Sequence, residues 1–271
     1  MSSLQTIRGR YIEEGVDYLN ASAKTCQDVV LQMISASSLK QHVTLKGGVV
    51  MQHLSKDIRR ATQDIDLDFI QYSLSDDMIR IFIQRLNDTS GSFVIAINGP
   101  IEPLKHQDYQ GKRLHIRISD QQGTVIDTKL DIGIHKDLQI EQEDYCFDLA
   151  KLDDAVTLLI NSKEQMITEK LKSLLRLGVF STRYKDISDI YFLTNIASVD
   201  CLRLQAIMQV CIFNDDSMRE NSQQEVLRRL EQILNSKRFL SQVKLSRKDW
   251  LELPVENVAT SLLQFFAQLQ R

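Results

Sequence analysis

Residues 60–69 read Arg60-Ala61-Thr62-Gln63-Asp64-Ile65-Asp66-Leu67-Asp68-Phe69, and upstream of them stands Lys46-Gly47-Gly48-Val49-Val50-Met51. From Gln63 to Phe69 the chain alternates strictly, with Asp64, Asp66 and Asp68 on one side and Ile65, Leu67 and Phe69 on the other. A period of two is that of a β-strand. Carboxylates at i and i+2 then share a face, with Cα atoms about 6.5–7 Å apart. Two such charges roughly 6 Å apart at an effective dielectric near 20 repel by about 3 kcal/mol. A cation between them removes that cost, and hard oxygen donors suit Mg²⁺, which binds through one or two carboxylates plus substrate phosphates. The competing reading is a solvated edge strand with an acidic face, since short motifs misfire often.

The glycine pair adds a second feature. A Gly-Gly turn opening a helix frees backbone N–H groups and lets a phosphate approach where a Cβ would stand in the way. Taken alone, Gly47 and Gly48 also read as the plain end of the preceding segment. Together with an acidic strand, they predict a phosphate cradle beside a metal site.

Working outward, Lys24 to Leu39 carries a helical stripe at Val29, Val30, Met33 and Ile34, and Val49 to Leu54 restarts as a short helix. Ser75 caps a helix running to about Leu86, with Met78, Ile79, Phe82, Ile83 and Leu86 inward. Ser92–Asn98, Arg113–Ser119 and Thr124–Ile134 are β-rich runs. Helices mixed with adjacent strands indicate an α/β sheet domain. Beyond about residue 150 nearly everything has helical spacing, over about 163–177, 184–195, 199–213, 219–236 and 255–269. The expected organisation is a mixed α/β sheet domain at 1–150 followed by a helical domain at 151–271.

The chain has 271 residues, which at about 150 per domain means one large domain or two small ones. Hydrophobic residues at 43% and charged residues at 25% exclude a disordered chain. The net charge of −3 excludes a dedicated nucleic-acid coat protein, so any such contact rests on a local patch. Cys26, Cys146, Cys201 and Cys211 show no CxxC spacing and read as reduced, mostly buried small hydrophobes. His42, His53, His106, His115 and His135 lack metal-ligand spacing. The start, MSSLQTIRGR, is charged where a signal peptide is apolar, and no stretch approaches 18 apolar residues. A cytoplasmic protein without a membrane partner is expected.

A third acid stands in Lys129-Leu130-Asp131-Ile132, with Asp127 as its rival in the same run. If that strand pairs near Gln63–Phe69, Asp131 joins Asp64 and Asp66 on one face. Three carboxylates around two Mg²⁺ is an arrangement for in-line attack on a nucleotide phosphate.

The ordered set LKGG-VVM, RATQ-DIDLD, KLDI, EKLKSLLR and RYKDISDIYFL, over roughly residues 40–195, resembles the AbiEii/AbiGii toxin family of nucleotidyltransferases. That resemblance implies a nucleotidyltransferase-type mixed sheet of the DNA-polymerase-β kind with flanking helices, then a helical domain. It implies a toxin of a bacterial toxin–antitoxin or phage-defence system, with a cognate antitoxin. The implied activity moves a nucleotide from an NTP with Mg²⁺ (or Mn²⁺) to an acceptor, the 3′ end of tRNA in some members. Carried over by motif, Asp64, Asp66 and Asp131 are the metal ligands and Lys170 meets the triphosphate. Asp186 is the following acid, with Asp189 as its rival one turn on. Lys46, Gly47, Gly48, Arg60 and Thr62 line the nucleotide. Gly48 stands where some members have serine, so that hydroxyl is absent. Arg59, Arg60, Lys163, Lys170, Lys172, Arg176, Arg183 and Lys185 form the expected basic patch for a polyanion. The alternatives are nucleotide or phosphoryl transfer to a protein hydroxyl, and a non-catalytic nucleotide- or RNA-binding module.

Overall fold

A computed structural model describes residues 3–56, 62–89, 91–104, 111–181, 184–245 and 253–269. The chain divides into two compact units, Met1–Asn161 and Ser162–Arg271. The first contains helices α1 (Leu4–Glu13), α2 (Tyr18–Ala36), α3 (Gly47–Ser55) and α4 (Asp76–Asn87). Its strands are β1 (Val43–Lys46), β2 (Asp64–Phe69), β3 (Phe93–Ile97), β4 (Glu102–Pro103), β5 (Lys112–Asp120), β6 (Val125–Ile134), β7 (Glu143–Leu149) and β8 (Asp154–Ile160). They form one mixed sheet in the order β3-β5-β6-β2-β1-β8-β7, with β4 on β5. The β2–β6 and β1–β8 pairs are parallel and the others antiparallel.

The alternation of β2 separates the two faces of this sheet. Ile65, Leu67 and Phe69 are fully buried with Leu114, Ile116, Leu130 and Ile132 of the neighbouring strands. Helix α4 covers part of that face, Phe82 meeting Phe69 edge-on with ring centroids 5.1 Å apart. The Ser75 hydroxyl accepts from the Met78 N–H and starts α4 where the sequence predicts it. Asp17 caps α2 by accepting from the Leu19 and Asn20 N–H groups, so that helix begins before the apolar stripe does.

The sheet continues past residue 150, through β8 to Ile160. Its Ala155–Ile160 run is apolar without clear alternation, and period alone does not separate such a run from a buried helix. Strand β1 is four residues long and buried throughout, again leaving no period to read.

The second unit is helical. It contains α5 (Lys163–Leu177), α6 (Tyr184–Asn195), α7 (Cys201–Met208) continued by a π-helical turn over Gln209–Phe213, α8 (Gln223–Leu234), α9 (Lys237–Leu245) and α10 (Val255–Gln268). Ser162, Asp200 and Ser222 cap α5, α7 and α8 through their side chains. Ile167, Leu171, Ile190, Leu230, Leu262 and Phe266 lie in its core. Among the described residues, no helix is long and apolar enough to cross a membrane. The cysteines depart from expectation. Cys26 is buried, whereas Cys146 and Cys201 are exposed because their places on β7 and α7 face outward.

Candidate active site

Strand β1 ends at Lys46, and the chain turns directly into α3 at Gly47, whose φ is +66°. A side chain there is strained by the left-handed backbone. It also has no room, because a Cβ on Gly47 overlaps the Asp66 carboxylate and falls 2.8 Å from its Cγ. Gly48 is closed by Thr62 in the same way, with the Thr62 Cβ 2.5 Å from a built Cβ. The glycines thus bring the N-terminus of α3 onto the carboxylate-bearing face of β2. Lys46 provides no side-chain cap there. First-turn N–H groups at such a helix end, lacking intrahelical partners, favour anions.

Register across four strands puts Lys46, Asp66, Asp131 and Arg113 in one row, each directly opposite the next. Asp64 lies one pleat repeat along, opposite Lys129. Asp127 precedes the β2–β6 pairing and instead meets Arg117 at 2.9 Å on an exposed part of the hairpin. The sheet therefore sets Asp131, and not Asp127, beside Asp66.

Two of the acids on this face are held by cations. Lys46 Nζ lies 2.6 Å from Asp68 Oδ1, both side chains being buried. Arg113 Nε donates to Asp131 Oδ1 at 2.8 Å and Arg113 Nη2 to Asp131 Oδ2 at 2.6 Å, a two-point fork. These hydrogen bonds, with the fields of Asp131, Asp64 and Asp66, push the Arg113 pKa above its ordinary value against the opposing effect of burial. Asp64 has no ion-pair partner among the described residues and is half-buried. Arg113 is the residue that sequence reasoning misses. Its signal is the hairpin itself: Arg113 and Asp131, like Arg117 and Asp127, are equidistant from Gln122 in the turn.

Among the described residues, no three His, Cys, Asp or Glu side chains converge as a ready metal-binding group. The donors still suit a hard cation in part. Asp64 and Asp66 offer carboxylate oxygens on one face, enough for an ion that keeps several waters and takes substrate phosphate oxygens. Asp131 adds to them once Arg113 is displaced from its oxygens.

In the helical unit, Lys170 of α5 reaches two acids of α6, Asp189 Oδ2 at 2.7 Å and Asp186 Oδ1 at 3.2 Å. The lysine and both acids are largely buried, Asp189 being only 2% exposed. The two acids that the motif leaves as rivals thus share one lysine, Asp189 making the closer contact.

The expected basic patch is partly paired where it is described. Lys170 is held as above, Lys172 and Arg176 both reach Asp215, and Lys163 donates to the Ser198 carbonyl. Burial raises the Asp215 pKa, but hydrogen bonds from Lys172 and Ser217 prevail and hold that carboxyl well below the usual range. Arg59, Arg60, Arg183 and His106 lie outside the described residues.

A family model described as "Nucleotidyl transferase AbiEii toxin, Type IV TA system" matches residues 29–258. The fold is also similar to the crystal structure of an antigenic nucleotidyltransferase-like protein from Paracoccidioides brasiliensis. That likeness has 19% identity over 82% of this chain and 92% of that chain, with a TM-score of 0.46. None of the curated proteins matches.

Proposed function

The chain belongs to the AbiEii nucleotidyltransferase toxin family of type IV toxin–antitoxin systems, and from that premise we propose that it transfers a nucleotide from Mg-NTP to the 3′ end of tRNA. In this reading it is a cytoplasmic phage-defence toxin restrained by a cognate antitoxin. The observation that carries the proposal is the placement of Asp66, opposite Asp131 in parallel register and closed against Gly47.

Asp64 and Asp66 would hold the divalent cation, with Asp131 as the third ligand. When bound, the ion neutralises charge at the transferring phosphate. Gly47 and Gly48 leave the α3 N-terminus open to phosphate oxygens, with Lys46 and Thr62 flanking them. Asp131 orients the attacking hydroxyl, and the bond from the α-phosphorus to the leaving pyrophosphate breaks as the new ester forms. By the motif resemblance alone, Lys170 is assigned to the triphosphate, with Asp186 as its companion acid. No protein nucleophile is needed, because positioning and charge stabilisation carry phosphoryl-type transfer.

The test is incubation with α-labelled and γ-labelled NTPs against total RNA and total protein. Label from the α position that RNase removes is the expected result. Label that survives RNase but not protease moves the acceptor to a protein hydroxyl. NTP binding that ignores Mg²⁺, with no label transferred, leaves only a binding module.

A further inference from the structure

The Arg113–Asp131 pair is built unlike the other ion pair of the same hairpin. Arg117 and Asp127 make the same two-point fork, at 2.9 and 3.2 Å, but both side chains are about half exposed and β2 does not reach them. Asp131 is 5% exposed, sits directly opposite Asp66, and has both of its oxygens engaged by Arg113. The guanidinium is 34% exposed, so its end of the pair reaches solvent while the carboxylate end does not. A buried carboxylate beside a second carboxylate needs a positive charge, and any cation taking Asp131 as a ligand shares an oxygen that already accepts from Arg113 and meets the guanidinium charge beside it.

We infer that Arg113 is a resident counter-ion of the acid row, which holds Asp131 in the metal-free enzyme and is exchanged for a divalent cation when the site loads. The inference rests on the nucleotidyltransferase reading and gives it a regulated step. The site is stable without metal because one guanidinium stands in for it. Loading breaks both Arg113–Asp131 hydrogen bonds and frees the guanidinium, on its flexible stem, for solvent or a substrate phosphate. Arg113 acts through Asp131 and is therefore a positioning residue.

The experiment measures Mn²⁺ affinity of the full-length chain without nucleotide, by calorimetric titration, together with melting temperature in EDTA. Arg113→Gln should lower the melting temperature in EDTA yet bind Mn²⁺ about fivefold or more tighter, because a unit positive charge no longer opposes the ion. Arg113→Lys, which keeps the charge but not the fork, should fall between wild type and Arg113→Gln, and it covers the case in which the glutamine variant does not fold. In an Asp131→Asn background the Arg113→Gln change should tighten Mn²⁺ binding less than it does in wild type, because only the charge and not the fork is then removed, and Arg117→Gln should bind as wild type does. Equal or weaker Mn²⁺ binding by both Arg113 variants overturns the exchange, leaving the nucleotidyltransferase reading intact. Absence of Mn²⁺ binding in wild type and every variant overturns the exchange and leaves the nucleotidyltransferase reading to the labelling experiment.

Discussion

The sheet unit and the helical unit each bury carboxylates against a cation, and they do so differently. On the sheet, Arg113 engages Asp131 alone, edge to edge, while Asp64 lies one pleat along without an ion pair among the described residues. In the helical unit, one lysine lies between two acids, Asp186 and Asp189. The first arrangement leaves carboxylate oxygens available on its face and suits the capture of another cation. The second encloses one ammonium between two carboxylates within the helical unit, leaving one negative charge over. A buried acid with a neutral partner sharpens the contrast. Asp28 of α2 is 2% exposed and receives a 2.5 Å hydrogen bond from the neutral Tyr11 hydroxyl. Burial pushes its pKa up to about 7, against the lowering effects of Tyr11, Lys24 and Lys151, with Asp148 adding to the rise.

The largest expected effect is on activity at the open arrangement. Asp64→Asn or Asp66→Asn should lower the single-turnover rate of nucleotide transfer by about a thousandfold, the scale for losing electrostatic stabilisation at a reacting group. Both proteins should melt close to wild type. At the lysine shared by two acids an effect on stability is expected beside any effect on transfer. Lys170→Met leaves two buried acids without their shared cation and should cost about 3–5 kcal/mol in urea unfolding, far more than Lys163→Met does.

Asp28 tests the neutral-partner case through pH. Its folded pKa lies above the unfolded value of 3.8, so its contribution to stability is full below about pH 4 and is lost as pH rises toward 7. Between those values wild type should lose on the order of 2–4 kcal/mol relative to Asp28→Asn in chemical denaturation, and the two curves should run parallel above pH 7. Gly47→Ala should cost about 1–3 kcal/mol of folding stability from the positive φ and the overlap with Asp66. Its transfer rate should fall more than its stability, because Asp66 itself must shift.

Legibility followed period and local chemistry. The DIDLD alternation, the α4 cap at Ser75 and the bounds of α5 and α6 were readable because each rests on neighbours within a turn or two. Strands β1 and β8 were not, β1 being short and β8 mostly apolar with only Thr157 to mark a period, so that their identity depends on the sheet around them. The same divide runs through the site. Asp64, Asp66, Gly47 and Gly48 announce themselves by spacing. Arg113 becomes visible only when the hairpin about Gln122 is paired residue by residue. Lys172 and Arg176 look like free cations in the sequence because Asp215, which both reach, lies about forty residues away.

The most direct measurement is transfer of α-labelled nucleotide by an Asp66→Ala protein with the melting temperature of wild type. The account predicts labelled product from wild type with Mg²⁺, none after chelation, and none from Asp66→Ala in either condition. Undiminished labelling by Asp66→Ala would contradict it.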